Sequence, residues 1–390
     1  MIAAKTRRRP GITLAAILFF AVFLNGFEAG GYQSILLSIG RTFQLDDTRQ
    51  GLLASTQLTA TMIAPLIFGP LADKLGKKPL YRAFLLTEAG GCALAAISHS
   101  PTLFMAAVFA IGCGISVLQY LSIAVLAESY PLTGKQKVGI LASLYSLGAV
   151  LGPMVCGLGM SRGVSWRGLF LLLLCALLLD FAVIFPMDFS PRELLPSAGA
   201  ESGGASGKWV LSGVILLCLA LFVYTGFENG FAFFINSFVS NELHGSHAYL
   251  SLSLFWMAMI PSRLLCGFWH RYSRQLLVAA VVGMAVFAAL VAAAQSPWAA
   301  ILLSFPLGFF SGAVYPTVMN RSLDFSGSRT GTVTGLLTAV SGLGGAVTAS
   351  AVGVVSQSFG LRTALATLAV LMLANIALSL ILLRKKETAS

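Results

Sequence analysis

Twelve stretches of the chain each hold about 20 mostly apolar residues, the length of helix that crosses the hydrocarbon core of a bilayer. They fall at 11–39, 50–70, 80–98, 102–128, 138–160, 167–187, 209–239, 248–269, 275–294, 298–320, 331–356 and 362–383. Nothing else in the sequence constrains the fold as strongly. A backbone in lipid finds no water to bond, so each stretch must satisfy its own N–H and C=O groups as a helix. Composition agrees. Hydrophobic residues make up 57% of the chain and charged ones 10%, against roughly 25% charged in soluble domains. There is too little polar surface to coat a water-facing globule. The expectation is an all-α membrane protein.

The net charge of +11 could suggest nucleic acid as a partner, but its distribution argues against this. With the N-terminus inside, the inner loops and ends hold 19 of the Lys and Arg residues, from Lys5 to Lys386, and the outer loops hold five: Arg41, Arg49, Arg162, Arg167 and Arg362. Arg263 alone is left inside a span. That bias orients both termini toward the cytoplasm. The basic start, MIAAKTRRRPG, resembles a signal-peptide head, but the apolar stretch after it is too long, so it reads as a retained first span. All six cysteines lie in apolar stretches without CxxC spacing and read as packing residues. His99, His244, His247 and His270 are scattered over loops and make no metal site, and no P-loop or nucleophile–base constellation occurs. No cofactor is called for, and no enzyme is expected.

The segment 187–208 is rich in Pro, Gly and Ser and separates the sixth span from the seventh. The reading is a six-span bundle over 1–187, a cytoplasmic linker over 188–208 and a second six-span bundle over 209–390. The halves match. Gly26-Phe27-Glu28-x-Gly30 recurs as Gly226-Phe227-Glu228-x-Gly230. A second, ungapped match runs from FAIGCG at Phe109 and FPLGFF at Phe305, pairs Glu128 with Asp324 and Gly148 with Gly344, and ends at Gly157 and Gly353. A duplicated unit of this kind sets its substrate site near the bilayer midplane, between the repeats.

The loop after the second span reads GPLADKLGKKPLYR, Gly69 to Arg82. It resembles the signature loop of the major facilitator superfamily in residues and in position. The resemblance extends over the chain and implies two pseudo-symmetric six-helix bundles that work by alternating access. The second-half loop, CGFWHRYSR, keeps Gly267 but has Arg271 where the first half has Asp73. Gly76 is expected to form a tight turn at positive φ, and Asp73 to latch the inner mouth through hydrogen bonds or a basic partner. The basic residues of the loop, Arg82 among them, can join that gate or only fix orientation. GAVLGP, Gly148 to Pro153, is similar to the Gly-x-x-x-Gly-Pro motif of proton-driven drug antiporters, although close helix packing and a kink explain it equally. YTGFENG, FWMAMIPSRLLCG and GAVYPT resemble the fucose-permease-like branch, which contains proton-coupled sugar symporters; that branch often has Gly where this chain has Ser262.

A charge at the centre of a span costs roughly 2.5–3.5 kcal/mol on insertion scales. Glu28 and Glu228 lie deepest, and in this superfamily their helices face each other across the pseudo-twofold. A carboxylate cannot stay charged in a dry cavity without a counter-charge, so both are candidates for proton coupling. Hydrogen-bonded packing beside their glycines is the plainer account. Arg263 can pair with a cavity carboxylate, bind an anionic group or snorkel to the interface. Glu88 and Asp180 fall in spans that are peripheral in this superfamily, and their roles stay open. Glu128 and Asp324 suit gating salt bridges. Candidate substrate contacts are Asn25, Gln33, Gln57, Gln119, Tyr120, Tyr145, Tyr224, Asn229, Asn236, Trp256, Arg263, Tyr315 and Asn320. Interhelical hydrogen bonding would account for many of them.

The expected function is secondary transport of a small polar organic solute, sugar-like, by proton symport. A proton/drug antiporter and a non-transporting receptor or scaffold are the alternatives. Expected partners are that solute, protons and the lipid of a bacterial inner membrane, with a monomer as the working unit.

Overall fold

The computed structural model describes residues 14–130, 134–187, 189, 211–268, 273–326 and 330–384. Within the helices, the side chains of Asp73, Glu128, Asn320 and Asp324 lie outside what is described, as does almost all of the expected linker over 188–208.

A helix occupies each of the twelve expected spans. In chain order they are α1 (Leu14–Phe43), α2 (Asp47–Leu75), α3 (Lys77–Ile97), α4 (Pro101–Ser129), α5 (Gly134–Ser161), α6 (Arg167–Ile184), α7 (Leu211–Ser237), α8 (Tyr249–Phe268), α9 (Ser273–Ala293), α10 (Pro297–Ser326), α11 (Thr330–Phe359) and α12 (Leu361–Arg384). A π-helical turn, Phe238–Glu242, extends α7. Among the described residues, eleven of the helices are long and apolar enough to cross a membrane.

Local sequence explains the ends. Asp46 caps α2 by accepting from the Arg49 N–H at 2.8 Å. Ser100 caps α4 ahead of Pro101, whose missing N–H costs nothing in the first turn. Gly76 ends α2 and starts α3 with φ at 86°, the positive-φ turn expected of it. One expectation is corrected. Arg321, counted among the loop cations, belongs to α10, which runs on to Ser326; it is 2% exposed, with its guanidinium 5.7 Å from the Phe325 ring centroid.

The packing repeats. α1 lies on α5, α2 on α4, and α3 on α4 and α6; likewise α7 lies on α11, α8 on α10, and α9 on α10 and α12. α1 and α7 are buried over most of their circumference. By contrast, α6 leaves Leu171, Leu172, Leu178 and Leu179 exposed, as a lipid-facing helix does. The two sets of six helices meet through α2 on α11, α5 on α8, and α1 on α7.

The polar contacts across this seam gather toward the face that carries the α1–α2 connection. Ser356 Oγ donates to Asp47, whose N–H donates to Gln357 Oε1 at 3.2 Å. The hydroxyls of Ser55 and Ser350 are 2.6 Å apart. Arg41 donates to Asn241 Oδ1 at 2.8 Å, Asn236 Nδ2 to the Ser34 carbonyl at 3.0 Å, and Trp256 Nε1 to Gln33 Oε1 at 3.2 Å. The Tyr32 and Phe233 rings meet edge to face at 5.6 Å. This clasp is testable. In a background without native cysteines, the Ser55→Cys/Ser350→Cys pair should crosslink under oxidation, since the two oxygens already lie near the spacing a disulfide needs. Transport should stop and return with reductant. Full activity of the crosslinked protein would show that this seam never opens.

Candidate functional site

Glycines bring the site together. A Cβ at Gly26 would overlap the Tyr145 carbonyl oxygen, and one at Gly148 would overlap that of Phe23. The GFExG sequence of α1 and the GAVLGP sequence of α5, unrelated in the primary structure, thus interlock backbone to backbone. Close approach of this kind is what small residues permit between helices in lipid. In the other half, a Cβ at Gly344 of α11 would overlap the Phe222 carbonyl of α7, which is the same arrangement repeated. A helix places residue i+2 on nearly the opposite side from i. With Gly26 and Gly30 turned to α5, Glu28 projects away from it, toward α2.

Glu28 is fully buried. Gln57 Nε2 of α2 donates to its Oε1 at 2.8 Å, and Oε2 has no hydrogen-bond partner among the described atoms. One turn earlier, Asn25 Nδ2 donates to the Ile115 carbonyl of α4 at 2.9 Å, so that amide ties α1 to α4.

Glu228 has different company. Its Oε1 accepts from the Tyr224 hydroxyl at 3.1 Å and lies 3.8 Å from Arg263 Nη2. Arg263 Nη1 donates to Ser146 Oγ of α5 at 2.8 Å. One guanidinium therefore joins α8, α7 and a helix of the first half. Of the roles open to Arg263 in the sequence, pairing with a carboxylate is the one observed. Ser311 Oγ of α10 adds a 3.5 Å contact to Tyr224. The Tyr145 phenol is within electrostatic reach of Glu228, Glu28 and Arg263. Tyr315 is within reach of Glu228 and Arg263 and bonds Thr338.

The two symmetry-related acids are therefore not equivalent. The pair in the second half carries its own counter-charge. Glu28 is met by a neutral amide. An ionised carboxylate buried with one amide donor is costly, whereas a hydrogen-bonded ion pair offsets much of its own desolvation.

The other expected contacts divide. Gln33, Trp256 and Asn236 belong to the clasp across the seam. Tyr120 donates to the Phe68 carbonyl at 3.1 Å, and Asn229 to Thr225 O of its own helix at 2.9 Å. Gln119 is half-buried on α4. Asn320 lies outside the described side chains, as do the expected gating residues Asp73, Glu128 and Asp324. Arg82 stacks its guanidinium 4.2 Å from the Phe185 ring centroid and donates to the Phe185 carbonyl, tying α3 to the end of α6. Sequence reasoning missed Ser146, Ser311 and Arg41. Each is an ordinary residue type whose role depends on a partner from another helix.

Comparison with known proteins places this geometry. The family model described as the Major Facilitator Superfamily matches residues 18–270 and 216–390. A glucose/galactose transporter of Brucella abortus is 24% identical over 379 residues, covering 90% of this chain and 89% of the relative. The multidrug resistance protein MdtM of Salmonella typhimurium is 28% identical over 179 residues, 42% of this chain and 43% of the relative. The fold matches a bacterial homologue of the human lysosomal transporter Spinster in an inward-facing, unoccupied conformation, with a TM-score of 0.82 at 14% identity over 95% of this chain and 96% of that one. The chain belongs to the major facilitator superfamily and is a multi-pass membrane transporter.

Proposed function

We propose that the protein is a proton-coupled symporter that takes up a sugar-like polar solute by alternating access across a bacterial cytoplasmic membrane, with residues 1–187 and 209–390 as its two moving halves. In this reading it works as a monomer and keeps both termini in the cytoplasm. One observation carries the proposal: Glu28 is a buried acid met by a neutral amide, whereas its symmetry mate Glu228 is paired with Arg263.

The cycle follows from charge. Glu28 crosses the rearrangement as a neutral acid, and releasing its proton on the far side resets it. The Glu228–Arg263 pair stays compensated throughout and offers hydroxyl groups both an acceptor and a forked donor. Tyr145 and Tyr315, both within reach of that pair, supply flat apolar faces suited to a sugar ring. The full-length similarity to a glucose/galactose transporter supports this solute class. Asp73, Glu128 and Asp324 remain the proposed gate on the cytoplasmic side.

Proton/drug antiport is the second reading, and the partial similarity to MdtM favours it. The GAVLGP sequence adds nothing to it, because its glycines are already used in packing α5 on α1. Purified protein in liposomes separates the two. With glucose or galactose as the probe, symport predicts accumulation when the outside is acidic. Antiport predicts expulsion under that gradient and rules out the symport reading.

A further inference from the structure

One hydroxyl of the first half takes hold of the ion pair of the second. Ser146 of α5 is 1% exposed, and its Oγ donates to the Ala142 carbonyl one turn back at 3.2 Å. With its proton spent there, the oxygen can only accept, and Arg263 Nη1 of α8 donates to it at 2.8 Å. The other guanidinium nitrogens are less well placed. Nη2 lies 3.5 Å from Met259 Sδ and 3.8 Å from Glu228 Oε1, and Nε is buried with no partner among the described atoms. Charge-assisted N–H···O bonds of an arginine and a carboxylate close to about 2.7–2.9 Å, often through both arms of the fork. Here the short bond goes across the seam to a neutral oxygen, and the carboxylate is held at arm's length.

Helix packing does not ask for that hydroxyl. In the ungapped match between the halves, Ser146 falls on Gly342. A Cβ at Gly342 would lie 2.9 Å from Met62 Cβ, so α11 meets α2 with no side chain at this position. The α5–α8 seam is also closed further along α5 by other means. Ser253 Oγ donates to the Val150 carbonyl at 3.4 Å, and a Cβ at Gly157 would lie 2.2 Å from the Tyr249 ring, which covers that glycine. What the Ser146 hydroxyl adds is its hold on Arg263.

We propose that Ser146 is a positioning residue of the solute site. By taking one arm of the Arg263 fork, it keeps the guanidinium from closing on Glu228. Both partners then stay short of each other, so a solute hydroxyl can accept from the guanidinium and donate to the carboxylate. Because the bond runs from α5 to α8, the pair is held open only while this stretch of the seam is closed. When α5 and α8 part, the fork closes on Glu228 and the solute hydroxyl is released. Solute affinity and the movement of the halves are tied together through one bond.

The inference rests on the Glu228–Arg263 pair as the place where the solute binds, and the test tells the failure of one from the failure of the other. In proteoliposomes with glucose or galactose as the probe, Ser146→Ala should raise KM about tenfold and lower the maximal rate far less. Ser146→Thr, which keeps the oxygen, should restore KM. Without solute, the fork should close on Glu228 in Ser146→Ala, so the melting temperature in detergent should rise above that of the wild type. That rise should vanish when both proteins also carry Glu228→Gln. An unchanged KM in Ser146→Ala, or a raised KM shared by Ser146→Thr, overturns the role of Ser146. So does a melting temperature that fails to rise, or that rises equally in the Glu228→Gln background. If the wild type takes up neither sugar while the melting-temperature pattern holds, the solute assignment falls and the placement of Arg263 by Ser146 stands.

Discussion

Glu28→Gln is expected to abolish uphill transport. Glutamine keeps the volume of the side chain and can still accept the Gln57 amide, so the helix packing around Gly26 and Gly148 survives. It cannot carry a proton. One pH unit is worth about 1.4 kcal/mol per proton, so a gradient of about two units drives at most about a hundredfold accumulation with one proton per solute. The variant should equilibrate solute across the membrane and stop at a ratio of about one. The readout is intravesicular radiolabelled sugar under acid-outside conditions. Accumulation near the wild-type ratio would remove Glu28 from the mechanism.

The second large effect belongs to Arg263. Arg263→Ala removes the counter-charge of Glu228 and the bond to Ser146 together. Removing one partner of a buried pair typically costs about 3–5 kcal/mol, because the other charge is left uncompensated. Side-chain exposure here is 28% for Arg263 and 12% for Glu228, so the lower end of that range applies. A clear drop in melting temperature in detergent should accompany a fall of about a hundredfold in solute affinity. Arg263→Lys tests geometry rather than charge. A lysine keeps the cation but has no fork to reach Glu228 and Ser146 at once. It should recover most of the stability and little of the binding. Adding Glu228→Gln to Arg263→Ala should restore stability without restoring transport. Wild-type affinity in Arg263→Ala would place the solute elsewhere.

The fold was largely legible because lipid leaves the backbone few options. Span length and hydropathy located all twelve helices. The turn at Gly76 could be read because positive φ favours glycine. The π-helical turn at Phe238–Glu242 could not, because nothing in FVSNE departs from ordinary helical residues. Arg321 was misplaced because a charge near a helix end looks like a loop charge until the neighbouring ring is seen.

The site was half legible. The repeated GFExG setting marked both acids, since buried charge in lipid is costly enough to stand out. Their partners did not stand out. Gln57 and Ser146 are common residues, and only the helix packing brings them to Glu28 and Arg263. Amides were the least legible of all. Asn25 bonds a carbonyl on α4 and Asn236 one across the seam, and from sequence neither can be told from an amide that faces a cavity.

The most direct test of the account is proton movement in liposomes with no imposed gradient. Adding glucose or galactose outside should make the external medium more alkaline, as each solute carries a proton inward, and the signal should vanish in Glu28→Gln. Sugar entry with no pH change, or with acidification of the medium, would contradict it.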